Sequence, residues 1–371
     1  MKVGIITLQG NNYGATLQAV ALNYMVNHMG CTAENLDYND LRRVKRGLSL
    51  RAQVKNQLWN TVKTILVGHG KEKAFDDYRK QHLVLSKEKW TSQEALKQNP
   101  PRYDLYISGS DQIWNPDVIN GDYNYLLAFV PQGGRKAAYA SSFGKKAIQG
   151  QYADTYRMLL ADYDDLSVRE ASGKELIKQL TGRDAQVVLD PTLLLNREQW
   201  TELADKRKEP ERYILCYYMP GDKIVTDAIR RVSKQLEKET GLHVINLGLK
   251  EYFKLVPGMD CRVDAGPGEF VRLFLDAEYV VTNSFHGMAF SVNFGKKLCV
   301  PVNGSIDASK ARHTRLLDFL KMVHYEDAIC YVTQSQGEKT DFQFRAKKTN
   351  SALELLRTES LDYLKRILEG A

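Results

Sequence analysis

Short apolar runs, each closing on a polar or glycine-containing loop and followed by a helical pattern, recur along the chain and constrain its fold more than any other feature. In the first half such runs read as strands at Val3–Leu8, Glu34–Tyr38, Leu105–Ser108, Lys136–Ala140, Leu166–Val168 and Gln186–Leu189. In the second half they fall at Tyr213–Met219, His243–Leu247, Tyr279–Thr282 and Lys297–Val302. The runs lack the apolar–polar alternation of a strand with one wet face, so helices are expected on both faces of the sheet. Ala15–Met29, Asp222–Glu239 and the stripe Phe270, Leu273, Phe274, Ala277 supply helices between them. Strands alternating with helices specify parallel α/β units.

A chain of 371 residues is long for one domain. A break is expected across Asp190–Lys208, where Asp190-Pro191 disfavours helix and a polar stretch follows. The expected organisation is a lobe over 1–190, a second over 209–345, and a terminal helix over 351–369 crossing back to the first lobe. That helix is expected to open on Ser351-x-x-Glu354 as a capping box, with Leu353, Leu356, Leu364, Ile367 and Leu368 on one face.

Doubly wound sheets hold ligands outside the carboxyl ends of their strands, which singles out Gln9–Gly14, Gly109–Asn115, Ser141–Gly144, Arg169–Gly173 and Asn283–Gly287. His286 follows a strand directly and opens a helix, where backbone amides attract anions. Asn283 and Ser284 beside it are also ordinary N-cap residues. Arg169 ends another strand and can fork onto a carboxylate or phosphate, or pair with Glu170 or Asp165 on the surface. Asp111 can accept a hydroxyl proton or serve as a turn residue, and Trp114 offers a flat face to a sugar. The loop holding Asn11, Asn12 and Tyr13 lacks the dinucleotide-binding glycine fingerprint, and no phosphate-loop Gly-Lys-Ser/Thr occurs, so it suits a neutral, hydroxyl-rich ligand. Asp162, Asp164 and Asp165 are expected to cap the preceding helix and stay solvated.

Composition narrows the partners. The formal net charge is +7, and Arg42, Arg43, Lys45, Arg46, Arg51, Lys55 and Lys63 lie in one segment interleaved with Leu58, Trp59, Val62 and Leu66. Such a segment is either an amphipathic helix with a solvated basic face or a peripheral contact with an anionic membrane surface. No pattern for nucleic-acid binding accompanies it. The five cysteines are scattered and form no Cys-x-x-Cys pair, which fits a reducing cytoplasm without a structural metal. No apolar run reaches the ~20 residues a membrane span needs, and the opening MKVGIITLQG is a strand pattern rather than a leader.

Taken in order, NNYGATLQA, DLYISGSDQIWNP, AYASSFG, SVREASG, VVLDPTLLL and VVTNSFHGMAFSVNFGKKLCVPV resemble the polysaccharide pyruvyl transferase family over residues 1 to about 320. The resemblance implies two Rossmann-like lobes of the glycosyltransferase-B type, phosphoenolpyruvate as donor and no further cofactor. It also implies a ketal formed on two hydroxyls of a sugar during surface or capsular polysaccharide synthesis. It makes His286 the essential histidine and Arg169 a donor-holding arginine, with Asn283, Ser284, Phe285 and Gly287 beside the donor. Where many members carry a further arginine-containing segment, this chain reads Lys310 to Asp318, leaving Arg312 or Arg315 for that role. Asn11, Asn12, Tyr13, Gly109, Ser110, Trp114, Ser141 and Ser142 are expected on the acceptor side, with Asp111 as base. The acceptor is free, nucleotide-linked or lipid-linked on this reading. A nucleotide-sugar glycosyltransferase and a non-catalytic glycan-binding protein are the alternatives on the same architecture.

Overall fold

The computed structural model describes residues 1–40, 70–247, 260–304, 311–333, 344 and 350–370. The basic segment Arg42–Lys63 lies outside the described residues. The chain forms two compact units, one of Met1–His69, Phe75–Leu194 and Leu356–Ala371, the other of Gly70–Ala74 and Leu195–Leu355.

In the first unit five parallel strands, β1 (Lys2–Ile6), β2 (Thr32–Tyr38), β3 (Leu85–Trp90), β4 (Leu105–Ser108) and β5 (Lys136–Ala138), stand in the order β3-β2-β1-β4-β5. Bridges Ala137↔Asp165 and Ser141↔Val168 carry the pairing on to the short strands β6 (Ser167–Val168) and β7 (Gln186–Val187). The order reverses direction between β1 and β4, which makes their carboxyl ends the switch point where a doubly wound sheet opens a crevice. Val3, Ile5, Leu105 and Ile107 are all 0% exposed. Burial of both strand faces is the reason these runs show no alternation.

The second unit repeats the plan. Here β8 (Tyr213–Tyr217), β9 (His243–Asn246), β10 (Asp260–Cys261), β11 (Tyr279–Thr282), β12 (Lys297–Asn303) and β13 (Ile329–Val332) run parallel in the order β10-β9-β8-β11-β12-β13. Its switch point falls between β8 and β11. Helix Lys223–Thr240 is capped by Asp222, whose carboxylate accepts from the Ile224 amide at 2.9 Å, and buries Val225, Ile229, Val232 and Leu236. Beneath the switch point Tyr217, Phe270, Phe290 and Trp200 pack in edge-to-face steps of 5.0–5.7 Å.

From Leu356 onward the terminal helix Ser351–Glu369 belongs to the first unit. Tyr363 donates to the Ala138 carbonyl at 2.9 Å, Arg357 to Leu193 at 2.7 Å, and Ser360 accepts from the Leu189 amide at 2.9 Å. The expected capping box is displaced by one residue. Asn350 caps the helix by accepting from the Leu353 amide at 3.1 Å, because its own amide group is anchored on the Val323 carbonyl. Asp162, Asp164 and Asp165 are not merely solvated either: they bind the Lys136 ammonium, the Lys136 amide and Arg366.

The strands missing from the sequence reading, β3, β10 and β13, are all outer strands. β3 reads Leu-Ser-Lys-Glu-Lys-Trp, and its charged centre conceals it, as charge on an edge strand is what blocks sheet-to-sheet association.

Candidate active site

In the second unit the candidate site is built on the step from β11 into helix Phe285–Asn293. Thr282 ends the strand and ties three parts together. Its hydroxyl donates to the Tyr217 carbonyl of β8, and its oxygen accepts from the Ser284 amide at 3.0 Å. Ser284 caps the helix, accepting from the Gly287 amide at 3.4 Å. Its hydroxyl also meets that of Tyr217, whose pKa burial pushes up to about 12 against the opposing effect of this bond. Asn283 bridges the switch point: its carbonyl accepts from the Met219 amide at 2.7 Å and its amide donates to the Met219 carbonyl at 3.1 Å. Both polar ends of Asn283 therefore hold the loop after β8, so the residue shapes the site.

Gly287 is required by packing. A Cβ there would overlap the Thr282 hydroxyl and lie 3.1 Å from the Thr282 Cβ, so only glycine lets the helix start this close to the strand. Gly287→Ala should therefore lower stability by ~1–3 kcal/mol, the usual cost of overpacking. Urea unfolding checks this, and an unchanged midpoint would contradict it.

His286 stands in the first helical turn, half-buried, with its ring edge-on to Phe285 at 5.2 Å. Arg312 and Arg315 fall in helix Ala311–Met322, and their side chains lie outside the described residues.

In the first unit Arg169 departs from expectation. Its side chain is only 4% exposed, and its fork is taken up by the chain's own carboxylates. Nη1 donates to Asp190 at 2.7 Å and Nε to Glu170 at 3.1 Å, while Nη2 faces Asp111 at 4.0 Å. Burial alone would depress its pKa, but Glu170, Asp190 and Asp111 outweigh burial and raise it. Three carboxyl groups around one guanidinium leave the cluster formally acidic, which disfavours an anionic donor there. The direct donor contact expected of Arg169 is thus replaced by a buried network, and its partners are not on the surface.

Asp190 is the hub of that network, accepting from the Ser110 hydroxyl at 3.2 Å and from Thr192 through amide and hydroxyl at 3.0 and 2.7 Å. Sequence reasoning missed it because Asp190-Pro191 carried the signal of a chain break. Asp111 sits at the switch point with φ 68°, a conformation that costs a non-glycine residue energy and recurs at functional sites. Its side chain is 19% exposed, against 0–8% for Asp190 and Glu170.

Several expected acceptor residues are internal. Trp114 is fully buried, packed on Phe143 at 5.2 Å and Tyr163 at 5.7 Å, so it presents no face to a sugar. Tyr13 packs on Phe75 at 5.1 Å, and Asn12 caps helix Tyr13–His28, accepting from the Ala15 amide at 3.2 Å. Ser110 is spent on Asp190, Ser141 donates to the Gly109 carbonyl at 2.9 Å, and Ser142 donates to Glu170 at 2.8 Å. Gly109 lets β4 leave close to β1, its amide donating to the Ile6 carbonyl at 2.9 Å. Asn11 remains exposed. Among the described residues no cluster of metal-ligating side chains occurs, and no helix is long and apolar enough to cross a membrane.

Two doubly wound parallel sheets with their switch-point loops define a two-lobed α/β protein of the glycosyltransferase-B type. A structure assigned to a UDP-N-acetylglucosamine 2-epimerase of Listeria monocytogenes superposes with a TM-score of 0.52 at 10% identity, covering 100% of this chain and 97% of the other. The UDP-GlcNAc 2-epimerase of Methanocaldococcus jannaschii gives 0.49 at 10% identity, covering 97% and 99%. These likenesses concern the fold alone. No curated protein matches the chain in sequence. The family model for polysaccharide pyruvyl transferase matches residues 12–300, and the chain belongs to that family.

Proposed function

We propose that the protein moves the pyruvyl group of phosphoenolpyruvate onto two hydroxyls of a sugar, forming a cyclic ketal. The observation that carries this reading is His286, half-buried in the first turn of a helix at the second unit's switch point and inside the family-matched segment. A helix start favours the donor's negative charge, through its amides and its dipole.

In the proposed reaction His286 gives a proton to the methylene carbon of phosphoenolpyruvate. Cationic character then develops at the neighbouring carbon, and a sugar hydroxyl bonds to it while losing its proton. The carbon–oxygen bond to phosphate breaks, phosphate departs, and the second hydroxyl closes the ring. One hydroxyl proton replaces that lost by His286 and the other leaves with phosphate, so the step balances without a redox partner. Asp111 is proposed to take the hydroxyl proton, and Arg169 to act through it by facing its carboxylate at 4.0 Å. The donor is assigned to the turn Asn283–Gly287, with Arg312 or Arg315 completing its charge.

Incubating the purified chain with phosphoenolpyruvate and candidate lipid-linked oligosaccharides tests this directly. The expected product is heavier by one pyruvate minus one water in mass spectrometry. A mass unchanged by phosphoenolpyruvate but raised by a nucleotide sugar would replace the reading with glycosyl transfer.

A further inference from the structure

A cavity of about 520 Å³ opens in the first unit beside β2 and β3, on the β1 side of the switch point. Its size lies within the ordinary range for small-ligand sites. Three elements wall it: the loop after β1 with Gly10 and Asn11, β2 and β3 with Asp37, Lys89 and, directly after β2, Asn39, and helix Gly70–His82 with Asp76, Arg79 and Lys80. Apart from the loop Gln9–Gly14, the expected chemistry used none of these residues.

The walls are held in place from within. Arg79 binds Asp76 on its own helix, donates to the Gly10 carbonyl at 3.2 Å, and donates to the Asn11 side chain at 3.1 Å. The loop after β1 is thereby fixed to the helix, and Arg79 has little left for a ligand. Lys89 faces Asp37 at 3.7 Å, a loose pair that a ligand can enter. Among the described residues Lys80 has no ion pair or hydrogen bond within the protein, and it is exposed at the cavity edge.

The chemistry of the lining is selective. Three cations stand against two carboxylates, so the cavity is formally positive by one even after its internal pairs are counted. Asp37, Asn39 and Asn11 offer acceptors and donors matched to vicinal hydroxyls. Among the described residues Leu85 is its sole apolar side chain and no aromatic ring lines it, so these residues give a nucleotide base no stacking platform.

We propose that this cavity is a subsite for an anionic saccharide unit of the acceptor, with the anion on Lys80 and Lys89 and hydroxyls on Asp37 and the neighbouring amides. The proposal rests on the reading of the protein as acting on glycans, but it does not depend on pyruvyl transfer. Binding of sodium glucuronate, glucose 1-phosphate and methyl glucoside to the full chain is compared by saturation-transfer NMR and titration calorimetry without phosphoenolpyruvate. At least one anionic sugar is expected to bind roughly 10-fold or more tightly than the neutral one, the scale of a charge-assisted hydrogen bond. The tighter of the two identifies a carboxylate or a phosphate, and either result supports the subsite. Lys80→Gln should abolish the preference without changing thermal unfolding, because the side chain is exposed. Asp37→Asn should weaken methyl glucoside, which depends on hydroxyl contacts, and should affect the anionic sugars less because it also removes a carboxylate from beside Lys89. Equal binding of charged and neutral sugars, or a preference that survives Lys80→Gln, overturns the proposal. Because phosphoenolpyruvate is absent, a failed transfer assay leaves this result standing, and a lost subsite leaves transfer to a neutral acceptor intact.

Discussion

His286→Ala should lower kcat for pyruvyl transfer by roughly 10²–10⁴-fold, the scale of one general acid, while phosphoenolpyruvate still binds. The substitution removes a proton donor from the first turn of helix Phe285–Asn293 and leaves the turn itself intact. Ser284 still caps the helix, and Asn283 still holds Met219. A loss confined to kcat with an unchanged donor dissociation constant is the signature of an interaction made only in the transition state. The check is a paired measurement, single-turnover transfer beside calorimetric donor binding. Should donor affinity fall in step with turnover, His286 is an anchor and the proton comes from elsewhere.

Asp190→Ala should destabilise the first unit by ~3–5 kcal/mol, because it strands the buried Arg169 guanidinium without its shortest partner. The same change removes the acceptor for Ser110 and Thr192, so three further donors lose their bond. Replacing both members, Arg169→Met with Asp190→Leu, removes the stranded guanidinium but leaves Glu170 without its cation and Ser110 and Thr192 without their acceptor, so it should recover only part of that loss. Chemical denaturation of the three proteins measures the comparison, and a cost of Asp190→Ala below ~1 kcal/mol would deny the network its structural weight. The double variant also separates two roles for Arg169. If it is stable yet transfers poorly with an altered pH profile, Arg169 acts by positioning Asp111. If its pH profile matches that of the wild type, Asp111 does not depend on it.

The strands that line both switch points were legible because a run buried on both faces carries a local signature. Tyr279–Thr282 and Leu105–Ser108 fall where the apolar runs predict them. Outer strands carry no such signature. Leu85–Trp90 holds three consecutive charged residues, and its strand state follows from pairing with β2 rather than from its own composition. The loops were located correctly as strand ends, yet the orientation of each side chain in them was not. In sequence Trp114 reads as a flat face for a sugar and Tyr13 as an acceptor-side residue, and both are closed over by aromatic rings from distant segments.

The sequence alone therefore determined the alternation of elements, the parallel sheets, the family, and the position of His286 between a strand end and a helix start. Each of these depends on periodicity or on neighbours within a few residues, and such signals are written along the chain. Tertiary structure alone decided that Arg169 is buried among Glu170 and Asp190, the latter 21 residues away. It also decided that Asn283 clasps a loop 64 residues distant, and that Arg79 fastens the loop after β1. A polar side chain has the same local appearance whether it meets water, a ligand or another part of the protein. Only packing selects among them, because leaving a buried charge or amide unmatched costs more than any local preference can offset.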